Sequence, residues 1–194
     1  MKAIIGFISR SHGLNVLNSI VTSSDYKLVT VYTHKLNPKS QDQARSERDD
    51  YHLFAEVCKK HKIPIISIDS KNHQFDNFPE CDFIVEVSWR YLIPQNVTKK
   101  ARIAAFGIHR GKLPEYGGAE PIKQALNNNE KEIVLSAHNL NAGIDEGEVF
   151  ETTTHLVNYD HSLSLDENIQ KIRDEITPKF SELVFRTLSK FSVN

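Results

Sequence analysis

The first half of the chain alternates short apolar runs with longer stretches of helical period, and this alternation narrows the fold more than any other feature. Residues 2–9 (KAIIGFIS) are an apolar, partly β-branched run that breaks at the RSHG of residues 10–13. Such a short run, apolar throughout, predicts a strand buried on both faces. Leu14, Leu17, Ile20 and Val21 then recur at helical spacing, and residues 27–32 (KLVTVY) predict a second strand. Residues 33–46 (THKLNPKSQDQARS) are polar with one proline and read as a mobile loop. In residues 47–61, Tyr51, Phe54, Ala55 and Cys58 fall at i, i+3, i+4 and i+7, one face of an amphipathic helix. Residues 64–68, 82–87 and 103–108 predict further strands. Strand, helix and strand in repetition imply a mostly parallel sheet wrapped by helices, an α/β fold in which 103–108 is expected to be central.

The second half changes character. Pro121–Asn127 predicts a short helix, 133–138 and 149–157 predict strands, and a long helical segment closes the chain. Its start is marked by Ser164-Leu-Asp-Glu167, a capping box in which the serine and glutamate side chains satisfy each other's backbone N–H groups. Leu165, Ile169, Ile172 and Ile176 mark its buried stripe, and Leu183, Val184 and Leu188 continue it. Pro178 lacks an N–H and crowds the preceding turn, so a kink or a restart is expected there. With 194 residues and no repeat or evident linker, residues 1–194 are expected to form one domain.

Composition removes several function classes. A net charge of -1, from 24 Lys+Arg against 25 Asp+Glu, gives no general attraction to nucleic acid or anionic lipid. The apolar runs are too short to span a bilayer, and residues 2–9 lack the features of a signal peptide, so a cytoplasmic protein with no membrane partner is expected. Cys58 and Cys81 stand apart, in no CxxC pair, and read as reduced thiols; a cysteine-built zinc site is not expected.

Ligands of open parallel sheets gather at the carboxyl ends of strands. The strand at 103–108 runs into His109 and a loop rich in special residues, Arg110-Gly-Lys112-Leu-Pro-Glu-Tyr116-Gly117-Gly118. The strand at 133–138 ends in His138, and Asp145-Glu-Gly147 precedes the next strand. Two imidazoles and a carboxylate at strand ends suit an acid/base cluster, or a metal site where a further ligand joins.

The order of these pieces resembles the folate-dependent formyltransferase family. Residues 109–126 (HRGKLPEYGGAEPIKQAL) follow that family's N-x-H-P-S-L-L-P-x-[FYW]-x-G-x-x-P signature. Ser136-Ala-His138-Asn139-Leu140 and Gly143-Ile144-Asp145-Glu-Gly147-Glu-Val149 continue in register. The resemblance implies a Rossmann-like fold with a long C-terminal helical segment, and a formyl group moved from 10-formyltetrahydrofolate to a small-molecule amine. It implies catalysis by His109 and Asp145, and folate binding by Trp89, Arg90, Tyr91 and Leu92 with His138, Asn139, Leu140, Asn141, Gly143 and Ile144. Arg10, His12, Arg110, Lys112, Tyr116, Gly117 and Gly118 are the residues expected to meet the acceptor. No metal is implied, and a homodimer is allowed.

The departures bear on the substrate. Gly107 stands where the family has an asparagine, whose amide is an oxyanion donor. Its loss leaves a substitute donor, Asn139 or Asn141 being nearest in sequence, a slow enzyme, or a protein that binds folate without transfer. The family's Pro-Ser after the histidine is Arg110-Gly111 here, and the glycine-rich phosphate loop after the first strand is replaced by Ser9-Arg-Ser-His12-Gly13. Glu148 is an acid where the purine and tRNA enzymes carry proline. Together these favour an amino sugar or a nucleotide-linked amino sugar, with glycinamide ribonucleotide formylation or formyltetrahydrofolate hydrolysis as the enzymatic alternatives.

Overall fold

The computed structural model describes residues 1–140 and 143–192. Seven strands form one sheet: β1 (Lys2–Ile8), β2 (Tyr26–Thr33), β3 (Ile65–Ser67), β4 (Cys81–Val87), β5 (Ala101–His109), β6 (Glu132–Asn139) and β7 (Val149–Leu156). Five helices intervene or follow: α1 (Arg10–Val21), α2 (Tyr51–Lys60), α3 (Gln95–Thr98), α4 (Pro121–Asn127) and α5 (Leu165–Lys190). The strand order is β3-β2-β1-β4-β5-β6-β7. β1 pairs in parallel with β2 and β4, and β2 with β3, whereas β6 lies antiparallel to both β5 and β7. The expected Rossmann-like α/β fold is therefore present. The middle strand is β4, however, with β5 beside it, because the two antiparallel strands extend the sheet on that side.

The chain divides into two compact units, Met1–Ala105 and Phe106–Asn194. In the first, Ile4, Ile5, Phe7 and Ile8 of β1 are fully buried, as an inner parallel strand requires. Val16, Leu17 and Ile20 carry the buried face of α1. Phe7 stacks on Tyr32 at 4.8 Å and meets Trp89 edge-on at 5.1 Å. The loop read as mobile is tied by its own hydrogen bonds: Asp42 accepts from Ala44, Ser46 N and Ser46 Oγ, and Leu36 bridges Glu47. α1 begins at Arg10, before its apolar period, and α2 begins at Tyr51 rather than residue 47.

In the second unit α5 packs against β6, β7 and α4. The predicted capping box is formed, with both Ser164–Glu167 bonds present. α5 continues through Pro178 as one helix and does not restart. Ile172 and Ile176 before the proline and Phe180, Leu183 and Val184 after it are all fully buried, so packing on both sides holds the helix across the missing backbone bond. Among the described residues no helix is long and apolar enough to cross a membrane.

Candidate active site

β5 delivers His109 at its carboxyl end, and the following loop folds back over it. Gly111 makes that return possible. A Cβ there would meet the Tyr116 carbonyl oxygen, lie 2.8 Å from Pro121 Cβ and 2.9 Å from His109 Nε2. The close approach lets His109 Nε2–H donate to the Tyr116 carbonyl at 2.7 Å. Because a carbonyl only accepts, this bond places a proton on Nε2. The Ser136 hydroxyl, on β6, donates to Gly111 O at 2.8 Å and accepts from Leu113 N at 3.3 Å, pinning the loop to the sheet.

Asp145 joins this cluster from the segment before β7. Its backbone sits in the left-handed region at φ 56, which aspartate adopts more readily than most non-glycine residues. One carboxylate oxygen, Oδ2, accepts from Gly118 N at 2.9 Å and lies 3.3 Å from His109 Nδ1. The other, Oδ1, lies 3.6 Å from His138 Nε2. A single carboxylate is thus flanked by two imidazoles, all three side chains largely buried. Burial holds the His138 pKa below the ordinary histidine value, with Asp145 pulling the other way. Among the described residues no group of three or more His, Cys, Asp or Glu side chains could hold a metal ion.

The structure sorts the remaining expected residues. Arg110, Lys112 and Tyr116 line a cavity of about 430 Å³ together with Gly111, α4 and the start of β6. Lys112 is paired with Glu115 at 3.0 Å, and the Tyr116 hydroxyl donates to Glu130 at 2.6 Å, which raises its pKa. Gly117 and Gly118 lie in the loop beside Asp145. Asn139 and Leu140 end β6, and Gly143 and Ile144 follow, the Ile144 side chain 70% exposed. Asn141 lies outside the described residues.

In the first unit the expected contacts are mostly spent within the fold. His12 is buried, with Nδ1 3.4 Å from Ser88 Oγ, and Arg10 donates to Gln41 at 3.2 Å. Trp89 N donates to Glu86, and the Trp89 ring stacks on His34 at 4.0 Å. Arg90 donates from its backbone to His34 Nε2 and from its guanidinium to Leu36 O. Tyr91 is half-buried and Leu92 is 55% exposed. Exposed Leu92 and Ile144 each offer apolar surface, within two of the expected folate segments, of the kind a flat heteroaromatic ring covers. Sequence reasoning missed His34, which fell inside a polar segment. Its partners Ile68, Trp89 and Arg90 are 34 to 56 residues away, so no local pattern points to it.

The formyl transferase family model matches residues 3–180. The methionyl-tRNA formyltransferase of Rickettsia bellii is 24% identical over 172 residues, covering 86% of this chain and 53% of that protein. The chain spans about half the length of the curated relatives it matches. Among solved structures, phosphoribosylglycinamide formyltransferase from Brucella melitensis superposes with a TM-score of 0.71 at 15% identity, covering 100% of this chain and 96% of that one. A sugar 3N-formyl transferase solved with dTDP and 5-N-formyl-THF gives a TM-score of 0.57 at 20% identity, covering 92% and 61%. With the family model spanning nearly the whole sequence and the His109–Asp145 pair assembled at the end of β5, this chain belongs to the formyl transferase family.

Proposed function

We propose that this protein is an N-formyltransferase that moves a formyl group from 10-formyltetrahydrofolate to a primary amine, the acceptor being an amino sugar or a nucleotide-linked amino sugar. The observation that carries the reading is the Asp145 carboxylate held between His109 and His138 beside the carboxyl end of β5. An amine that attacks a formyl carbon must lose a proton, and a buried, fixed carboxylate is suited to take it, directly or through one water. His109, anchored at Nε2 by the Tyr116 carbonyl, stands beside this carboxylate with Nδ1 3.3 Å from Oδ2. In the unit that holds Asp145, the 70% exposed Ile144 is the apolar surface offered to the pterin, which supplies the activated formyl group.

The acceptor class is supported by the cavity lined by Arg110, Lys112 and Tyr116, which has the size of a small-ligand site. Its wall carries Arg110, Lys112 and Lys131 against Glu130 and Glu132, and the cations suit an acceptor that carries phosphate. The test is a steady-state assay of tetrahydrofolate release with amino sugars, nucleotide-linked amino sugars, glycinamide ribonucleotide and no amine. Release only with amino-sugar acceptors supports the proposal. Release with glycinamide ribonucleotide alone moves the reading to purine chemistry, release without amine moves it to hydrolysis, and no release leaves a folate-binding protein.

A further inference from the structure

The register of β5 and β6 sets His138 opposite Gly107, on the face of the sheet that bears His109. The His138 ring is buried and its proton is committed, because Nδ1–H donates to the Asn139 carbonyl at 3.2 Å. That carbonyl is itself fixed. Asn139 N donates to Glu148 O at 2.9 Å, and Gly147 lies so close that a Cβ there would collide with Asn139 O. A neutral imidazole carries one proton, so Nε2 of His138 is left with a lone pair.

This lone pair faces Asp145 Oδ1 at 3.6 Å. A carboxylate oxygen and an unprotonated nitrogen repel. A proton brought between them turns the same contact into an imidazolium–carboxylate pair. The two oxygens of Asp145 differ in this respect. Oδ2 already accepts from Gly118 N at 2.9 Å and stands 3.3 Å from His109 Nδ1, whereas Oδ1 meets only His138 among the described residues. The titratable groups facing the His138 ring are Asp145 and His109. Burial lowers the His138 pKa, His109 lowers it further and Asp145 opposes them, so Nε2 is unoccupied at neutral pH.

Formyl transfer needs such a place. The amine loses a proton as it adds, and N10 of the folate gains one only when the bond to it breaks, so between the two events the proton has to be held. We propose, on the formyl-transfer reading, that His138 Nε2 holds this proton, receiving it through Asp145 Oδ1 and returning it by the same route. In the first step the amine nitrogen bonds to the formyl carbon and the carbonyl π pair moves onto oxygen. The amine's proton passes to Oδ1 and on to Nε2, which leaves Asp145 ionised again. In the second step the oxygen's pair re-forms the carbonyl, the bond from carbon to N10 breaks, and the proton returns through Oδ1 to N10. No proton is gained or lost overall. His138 acts through Asp145 and not on the substrate, across a contact of the kind that is long in a free enzyme and tightens when substrate binds.

Nitrogen-15 NMR of the histidine-labelled wild type is expected to show His138 as the neutral Nδ1–H tautomer at neutral pH, with Nε2 taking up a proton as pH falls. In Asp145→Asn the midpoint of that titration should move to lower pH, because the carboxylate that favours the charged ring is gone. A resting Nε2–H tautomer, a ring that stays neutral to the acid limit of the fold, or a midpoint unmoved by Asp145→Asn each overturns the proposal, whether or not the protein turns over folate. Kinetics of tetrahydrofolate release are the second arm. His138→Gln keeps a polar group that takes up no proton. Its kcat is expected to fall about 10²–10⁴-fold, the range of one proton-transfer group, with KM for 10-formyltetrahydrofolate changed less than about threefold. Adding His138→Gln to Asp145→Asn should cost less than about threefold beyond Asp145→Asn alone, since the two stand in series on one proton path. Undiminished kcat in His138→Gln, or losses that multiply in the double variant, overturns the proton store while leaving formyl transfer intact. If His138→Gln melts early, the titrations of the wild type and of Asp145→Asn decide alone. A wild-type protein that releases no tetrahydrofolate with any acceptor or with water removes both readings.

Discussion

Asp145 Oδ2 lies 3.3 Å from His109 Nδ1, and the far side of the same imidazole is anchored to the Tyr116 carbonyl at 2.7 Å. The imidazole is anchored at Nε2 and faces the carboxylate with Nδ1, and the carboxylate's second oxygen lies 3.6 Å from the other histidine. Under the proposed function, Asp145 is the group assigned to take the acceptor's proton. Asp145→Asn keeps the shape and removes the charge and the basicity. The expected result is a fall in kcat of about 10²–10⁴, the size of a general-base contribution, with the melting temperature little changed. His109→Gln should fall by a similar factor, and the double variant by much less than the product, because the two act as one unit. Retention of more than a tenth of wild-type kcat in Asp145→Asn counts against the assignment.

Gly111 is the second point at which the site can be broken, through packing rather than chemistry. A methyl group there runs into the Tyr116 carbonyl, Pro121 and His109 Nε2, two of which are parts of the hydrogen bond that orients the imidazole. Relief requires the loop to lift. Gly111→Ala is expected to cost about 1–3 kcal/mol in urea unfolding, the range of overpacking substitutions, and to lower kcat as well. An alanine variant with native stability and rate would show that the loop accommodates the methyl group freely.

Much of this architecture is legible from local pattern, and the reasons it stops being legible are specific. The buried strands β1, β2, β4 and β5 announce themselves as apolar runs, and Ser164-Leu-Asp-Glu167 names the start of α5, because each signal lies within a few residues. α1 starts four residues ahead of its apolar period because its first turn, Arg10-Ser-His-Gly13, is polar at the positions expected to be hydrophobic. Pro178 reads locally as a restart, yet the apolar residues that bridge it pack from both sides. His109, His138 and Asp145 are visible as chemistry at strand ends. That one carboxylate sits between both imidazoles, and that a carbonyl at Tyr116 claims the fourth position, depends on antiparallel register and on a loop fold-back that no short window encodes.

The helix start at Ser164 offers a clean measurement away from the site. Ser164 Oγ accepts from Glu167 N at 3.3 Å, while the Glu167 carboxylate accepts from Ser164 Oγ at 2.6 Å and from Ser164 N at 2.8 Å, two bonds that hold it below the usual carboxylate range. Ser164→Ala removes one half of the box. The expected loss is about 1 kcal/mol of unfolding free energy, read by denaturant titration, with kcat unaltered. A change in rate would mean that α5 communicates with the loop at Tyr116.

His34 ties stability to pH, and the sign follows from its hydrogen bonds. Nδ1–H donates to Ile68 O at 2.5 Å, Nε2 accepts from Arg90 N at 3.1 Å, and the ring lies flat on Trp89. The neutral form is the one this pocket fits: burial, opposed by the Ile68 bond and reinforced by Arg90, Arg48 and Arg10, pushes the pKa from 6.5 down to about 3. Between those values the unfolded chain binds a proton that the folded protein refuses, so stability rises with pH across this window. The contribution is fully present above the unfolded value and is lost as pH falls toward the folded one. One proton corresponds to a slope of about 1.4 kcal/mol per pH unit. Unfolding free energies of the wild type and of His34→Gln, measured by urea titration at several pH values between about 4 and 6, should therefore diverge in slope by roughly that amount, with the variant the flatter of the two. Equal slopes would show that His34 titrates alike in the folded and unfolded chain, and that the stacked, hydrogen-bonded imidazole beneath Trp89 does not exclude the proton.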